Sequence, residues 1–154
     1  MQKNAMLVAL MDEYRRSTID LKSILSGVNQ DLFEKITDKQ ATDPDCKSIE
    51  TICFHIIQSG YTYANYINSI FEKNVWIEYN EKIVTPAKVI QELNKMLNFT
   101  EQAFEEFWDK SNEEIELFKI QSRWNVSYDI EQLMEHAIVH ILRHRRQIEN
   151  RINR

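Results

Sequence analysis

Apolar residues along this chain recur at three- and four-residue intervals, the period of a helix buried on one face. Leu7, Leu10, Tyr14, Leu21 and Leu25 mark such a face over residues 3–25, and Gly27 offers a stop. A short turn over residues 31–36 and a polar stretch over 37–45 follow. Asp43-Pro44 puts proline at a first helical position, so the second helix begins between residues 43 and 48. Its core side carries Ile49, Ile52, Ile56, Tyr63, Ile67 and Ile70, and it reaches about residue 72. Thr85-Pro86 repeats the cap-then-proline signal. The third helix then carries Val89, Leu93, Met96, Leu97, Phe104 and Phe107 at helical spacing to about residue 108. Ser111 and Glu114 form a capping-box pattern that opens one further short turn. The fourth helix begins near Asp129, with Gln132 at the box position, and runs to about Ile152.

Four amphipathic helices in 154 residues predict an all-α fold: one domain over residues 1–154, an antiparallel four-helix bundle with a short extra helical turn in its connections. Two glycines and two prolines leave few punctuators for a sheet protein. The connections near 37–45, 74–84 and 117–128 are long enough to shape the mouth of a pocket, and they carry Trp76, Tyr79 and Trp124.

Charge narrows the partners. Nineteen basic against 24 acidic residues give a net charge of -5, which disfavours wholesale nucleic-acid binding. Arg143, Arg145, Arg146, Arg151 and Arg154 crowd the last helix. They read either as complements to its dipole or as a patch for an anionic substrate or partner. Cys46 and Cys53, seven residues apart, would lie about 10 Å apart along one helix, beyond disulfide reach. Reduced thiols in a cytoplasmic protein are the expectation. Charges within the first sixteen residues argue against a signal peptide, and no uncharged apolar run approaches the length of a membrane span.

The chemistry lies in the histidines. His136, His140 and His144 are spaced four apart on the last helix, and His55 lies in the apolar segment of the second. Residues four apart are neighbours on one helical face, so a pair of these can grip one metal ion. The histidine line borders the stripe of Ala137, Ile141 and Ile148, and His55 borders the core between Ile52 and Ser59. A ligand from a second helix would complete a three-histidine site with an open position, the pattern of catalytic metal. His136 and His144 are about 12 Å apart along the helix and cannot share an ion. The pair is therefore His136/His140 or His140/His144. Core-edge histidines also occur as hydrogen-bonded filler, and spacing alone does not separate these readings.

The segments His140-x-x-x-His144-Arg145-x-Gln147-Ile148 and Ser48-Ile49-x-x-Ile52-x-x-His55-Ile56-Ile57-x-Ser59 resemble the DinB-like (DinB/YfiT) superfamily of metal-dependent enzymes. The likeness extends over the whole chain in helix count and order. It implies a four-helix bundle, usually dimeric, holding a divalent ion, zinc or nickel, through three histidines. Carried over, the ligands are His55, His140 and His144, which selects the second pair and leaves His136 as a core-edge, supporting or substrate-facing residue. Arg146 stands where the usual ending of that signature has glycine, so close backbone approach there is not implied.

The same resemblance implies a small-molecule substrate, with a low-molecular-weight thiol among the candidates, and a thiol-dependent transferase or a hydrolase as the activity. The alternative is a metal-binding stress-response or interaction module without turnover, and a purely structural dimer with incidental histidines is a third reading. Ser59, Tyr66 and Gln147 are candidate helpers on the histidine faces, whereas Glu135 points away from His140. A homodimer is expected on a second ground. Met6, Leu7, Leu10 and Met11 on the first helix, and Phe99 and Phe107 on the third, are apolar sectors wider than one core stripe requires.

Overall fold

The computed structural model describes residues 3–73 and 75–153. It is all-α, as the periodicity predicts. Four long helices, α1 (Ala5–Leu25), α3 (Ile49–Ser69), α4 (Pro86–Ala103) and α6 (Ile130–Ile152), are joined by the short helices α2 (Gln30–Glu34) and α5 (Asn112–Glu116). A 3-10 turn, Pro44–Cys46, precedes α3, and a two-stranded antiparallel ribbon, β1 (Ile120–Gln121) with β2 (Ser127–Tyr128), precedes α6. The ribbon was not anticipated. Each strand is two residues long, too short for any alternation to register, and Asn125 takes the left-handed conformation that its turn needs.

The helix starts are chemical. Asn4, Ser48, Thr85 and Asp129 each accept a hydrogen bond from a backbone N–H in the first turn, and Ser48 and Asp129 complete capping boxes. Asp43-Pro44 opens only the 3-10 turn, so α3 begins at Ile49, behind Ser48. The third helix ends at Ala103 and not near residue 108. Beyond it the backbone tightens into three-residue hydrogen bonds, Phe104 N to Glu101 O and Phe107 N to Phe104 O. Phe104 and Phe107 still reach the core, where Phe71, Phe118 and Phe107 form one aromatic cluster. Periodicity therefore persisted past the point where the regular helix stopped.

Side-chain contacts give the helix directions. Arg15 pairs with Glu101 and Lys22 with Asn94, so α1 and α4 run in opposite directions. His55 meets His140 while Tyr63 meets His136, so α3 and α6 also oppose each other. By contrast α1 and α6 share a direction: Asp20 faces Arg145, and Ile24 and Gly27 share a cleft with Glu149 and Ile152. Tyr61 packs on Phe99 and Phe71 on Phe107, so α3 and α4 run together. The long connections before α3 and α4 allow this up-down-down-up order.

Leu7, Met11 and Tyr14 of α1, Ile52 and Ile56 of α3, Leu93 and Met96 of α4, and Leu133, Ala137 and Ile141 of α6 are buried in the core. The broad apolar sectors noted above are used there too. Leu7, Met11, Phe99 and Phe107 are buried, and Met6 and Leu10 pack against the same core. Within this chain their width reflects internal packing. No helix among the described residues is long and apolar enough to cross a membrane.

Gly60 marks the closest approach of α3 and α4. A Cβ built there would lie 2.1 Å from Met96 Sδ and 2.9 Å from the Tyr14 hydroxyl, both fully buried residues. Gly60→Ala is therefore expected to destabilise the protein by about 1–2 kcal/mol, overpacking outweighing alanine's better helix propensity. Urea unfolding of the variant checks this; a midpoint equal to or above wild type would show that Met96 yields without strain.

Candidate metal centre

The antiparallel packing of α3 on α6 brings His55 opposite His140 and His144, which lie one turn apart on α6. The Nε2 atoms of His55 and His140 are 3.0 Å apart, and those of His140 and His144 are 3.2 Å apart. One ligand atom from each of the three lies within 4.8 Å of the other two. Nitrogens sharing a tetrahedral ion at ordinary metal–nitrogen lengths sit roughly 3.3 Å apart. The group therefore fits one divalent ion with little adjustment.

Two of the three rings are held from behind. His55 Nδ1 lies 3.1 Å from an Asp45 carboxylate oxygen. His144 Nδ1 lies 2.7 Å from the Gln147 side-chain oxygen. With Nδ1–H donating to these acceptors, both rings present a free Nε2 lone pair to the common point, the arrangement by which metal-binding histidines are oriented. His144 is almost fully buried, whereas the His55 side chain keeps about a quarter of its surface, so the group has a floor and an open side.

Burial holds the two α6 rings, His140 and His144, neutral. Burial pushes the His140 imidazole down to about 3, reinforced by His144, His55, His136 and Arg143. Burial also lowers His144, although its bond to Gln147 opposes the shift. Neutral imidazoles are the form that ligates metal.

His136 stands outside the group. Its ring stacks on Trp124 at 5.7 Å between centroids, meets Tyr63 edge-on at 5.5 Å and packs against a tilted Tyr128 ring at 5.5 Å. It is a packed residue of an aromatic box, and burial lowers its pKa as well. Of the other candidates, Gln147 holds His144, and the Tyr66 hydroxyl accepts the Arg123 backbone N–H at 2.9 Å, tying the ribbon to α3. Ser59 is buried on the same side of α3.

Asp45 was not singled out from the sequence. It lies in the polar stretch ten residues before His55, and no helical spacing links the two. Only the return of the 3-10 turn against α3 makes the contact. The arginine cluster is also resolved by tertiary structure. Arg145 pairs with Asp20 at 3.0 Å, Arg151 bonds to the 37–47 segment, and Arg143 is exposed near the histidines. Arg154 lies outside the described residues. Cys46 and Cys53 are free, Cys53 fully buried on α3.

A cavity of about 400 Å³ lies further along α3, lined by Gln58, Thr62, Asn65, Tyr66, Trp76 and Arg123 among others. The histidines are not part of its wall. Thr62 and Tyr66 share the helical face of His55, and Thr62 is about 10 Å along the axis from it. The connections around residues 76–80 and 121–123 do frame this mouth, as their length suggested. Asn65 pins the first of them by bonding both the N–H and the C=O of Ile77.

An all-α bundle whose facing helices converge three imidazoles on one point defines a class: helical proteins with a three-histidine group able to hold a metal ion. The chain belongs to the DinB family, whose model matches residues 24–152, from the last turn of α1 to the end of α6. No curated protein and no solved structure matches the chain.

Proposed function

We propose that the protein is a divalent-metal-dependent enzyme acting on a small molecule, with His55, His140 and His144 as the metal ligands. The observation that carries this reading is the convergence of three Nε2 atoms, two of them on rings anchored at Nδ1 by Asp45 and Gln147. Without an ion, an Nε2–H on His140 could serve only one of the Nε2 acceptors of His55 and His144, and the other would be left facing it unpaired, an arrangement that filler histidines have no reason to adopt. When bound, a zinc or nickel ion supplies Lewis-acid charge and an exchangeable coordination position. The chain's own residues keep His140 and His144 neutral by burial, orient His55 and His144 through Asp45 and Gln147, and leave one side open.

Thiol-dependent group transfer and hydrolysis are the reactions proposed. The cavity beside Thr62 and Tyr66 supports a small-molecule substrate, since it lies on the same face of α3 as His55 and joins aromatic surface to amide, hydroxyl and guanidinium groups. Protein purified without a histidine tag is expected to contain about one divalent ion per chain by elemental analysis. The loaded protein is expected to turn over a thiol adduct or a small ester or amide in a screen of such compounds. Metal-free protein that takes up no zinc or nickel would overturn the reading. Full loading with no turnover across the screen would favour a metal-binding module.

A further inference from the structure

We propose that Arg151, at the far end of α6, is a positioning residue for the metal centre, acting through the 37–47 segment and Asp45 on His55. The proposal rests on the metal-ligand reading above and extends it to a residue that contacts none of the three histidines.

The chain of contacts is continuous. One Arg151 guanidinium nitrogen donates to the Thr37 hydroxyl and, at 3.2 Å, to the Lys47 carbonyl. The other donates to the Cys46 carbonyl. Thr37 N–H in turn bonds the Lys47 carbonyl at 3.0 Å, which closes the segment into a loop. Asp45 is the residue immediately before the two carbonyls that Arg151 holds. Its carboxylate lies 3.1 Å from His55 Nδ1, while its own N–H bonds the Asp43 side chain at 2.9 Å. One side chain on α6 thus grips the two successive backbone carbonyls that follow Asp45.

Few other contacts could do this. The 37–47 segment contains no regular element beyond the three-residue turn, and most of it is exposed, so its position rests on a small number of hydrogen bonds. A carboxylate on a loosely held loop orients a histidine poorly. Fixed by Arg151, it holds His55 as the Nδ1–H tautomer with Nε2 facing His140 and His144. The planar fork of arginine suits the task, because one group must serve three oxygens at once. Arg151 also links the two helices of the site. It stands on α6, which carries His140 and His144, and grips the turn that leads into α3, which carries His55.

The test uses the full-length chain with Arg151→Ala, Arg151→Lys, Asp45→Asn and the Arg151→Ala/Asp45→Asn double variant. Zinc affinity of Arg151→Ala is expected to fall about 10- to 100-fold, the usual effect of losing an orienting partner. Arg151→Lys, which keeps the charge and the helix but not the fork, is expected to fall less. The double variant is expected to bind zinc as Asp45→Asn does, because both changes remove the same support. A second readout needs no metal. Nitrogen-15 NMR of the metal-free protein is expected to show His55 as the Nδ1–H tautomer in wild type and as a mixture in Arg151→Ala. Zinc affinity within twofold of wild type together with an unchanged His55 tautomer in folded Arg151→Ala would overturn the proposal. Additive losses in the double variant would also overturn it, by showing that Arg151 acts on stability and not through Asp45. If wild type takes up no zinc but the tautomer still shifts in Arg151→Ala, the positioning role stands and the metal reading falls.

Discussion

His140→Ala is expected to abolish binding of the divalent ion. Its Nε2 lies between the other two, 3.0 Å from that of His55 and 3.2 Å from that of His144. Two imidazoles left on different helices make a far weaker site than three. His55→Ala and His144→Ala are expected to lose the ion as well, whereas His136→Ala keeps it, because His136 is packed among Trp124, Tyr63 and Tyr128. Isothermal titration with zinc on metal-free protein measures all four. The loss also has a stability signature. An ion present at a hundred times its dissociation constant stabilises the folded state by about 2.7 kcal/mol, so wild type should melt higher with zinc than without, and His140→Ala should show no such difference. Full stoichiometry in His140→Ala would remove the site, and the reverse pattern between His136 and His144 would move the pair one turn toward the N-terminus of α6.

The second large effect is on acid stability of the metal-free protein. His140 binds its proton only near pH 3 when folded, against about 6.5 when unfolded. Above 6.5 neither state is protonated and the histidine adds no pH dependence. Between 6.5 and 3 the unfolded state binds a proton that the folded state refuses, so stability falls as pH falls through that window. His144 and His136 are lowered too and act in the same direction. From pH 7.5 to pH 5 the loss through His140 should be about 1–2 kcal/mol, allowing for its partial exposure. Urea midpoints at the two pH values read it directly, and His140→Ala should flatten the dependence. A wild-type midpoint that does not move would mean that the buried imidazole accepts its proton at no cost. Zinc affinity is expected to fall over the same range, since protons and metal compete for the same lone pairs.

The sequence by itself determined the four long helices, the starting caps of the last two, Thr85 and Asp129, and the histidines worth attention. Those features are local. A cap is a contact within one turn, a helical face is a spacing of three or four residues, and the His140/His144 pair is one turn of α6. The family resemblance added what spacing could not, the choice of His144 over His136 as partner to His140. It did so from a pattern in the chain, and the geometry then brought His55 to that pair.

Tertiary structure decided everything that depends on distant parts of the chain meeting. The run of Phe104 and Phe107 has helical spacing, yet the backbone there is a series of tight turns, because the core asks only where the rings lie. The breadth of the apolar sectors on α1 and near the end of α4 looked like surplus until each residue had a place against the chain's own core. Asp45 had no signal at all. Its link to His55 is a contact between a loop and a helix face, and such a contact has no period. The same holds for Arg151, which read as one more charge at a helix end. Its role follows from three oxygens on a segment more than a hundred residues earlier. Histidines on regular helices, and a helical neighbour such as Gln147, can be found by counting; Asp45, which orients His55, sits on a loop that only folding brings to the site.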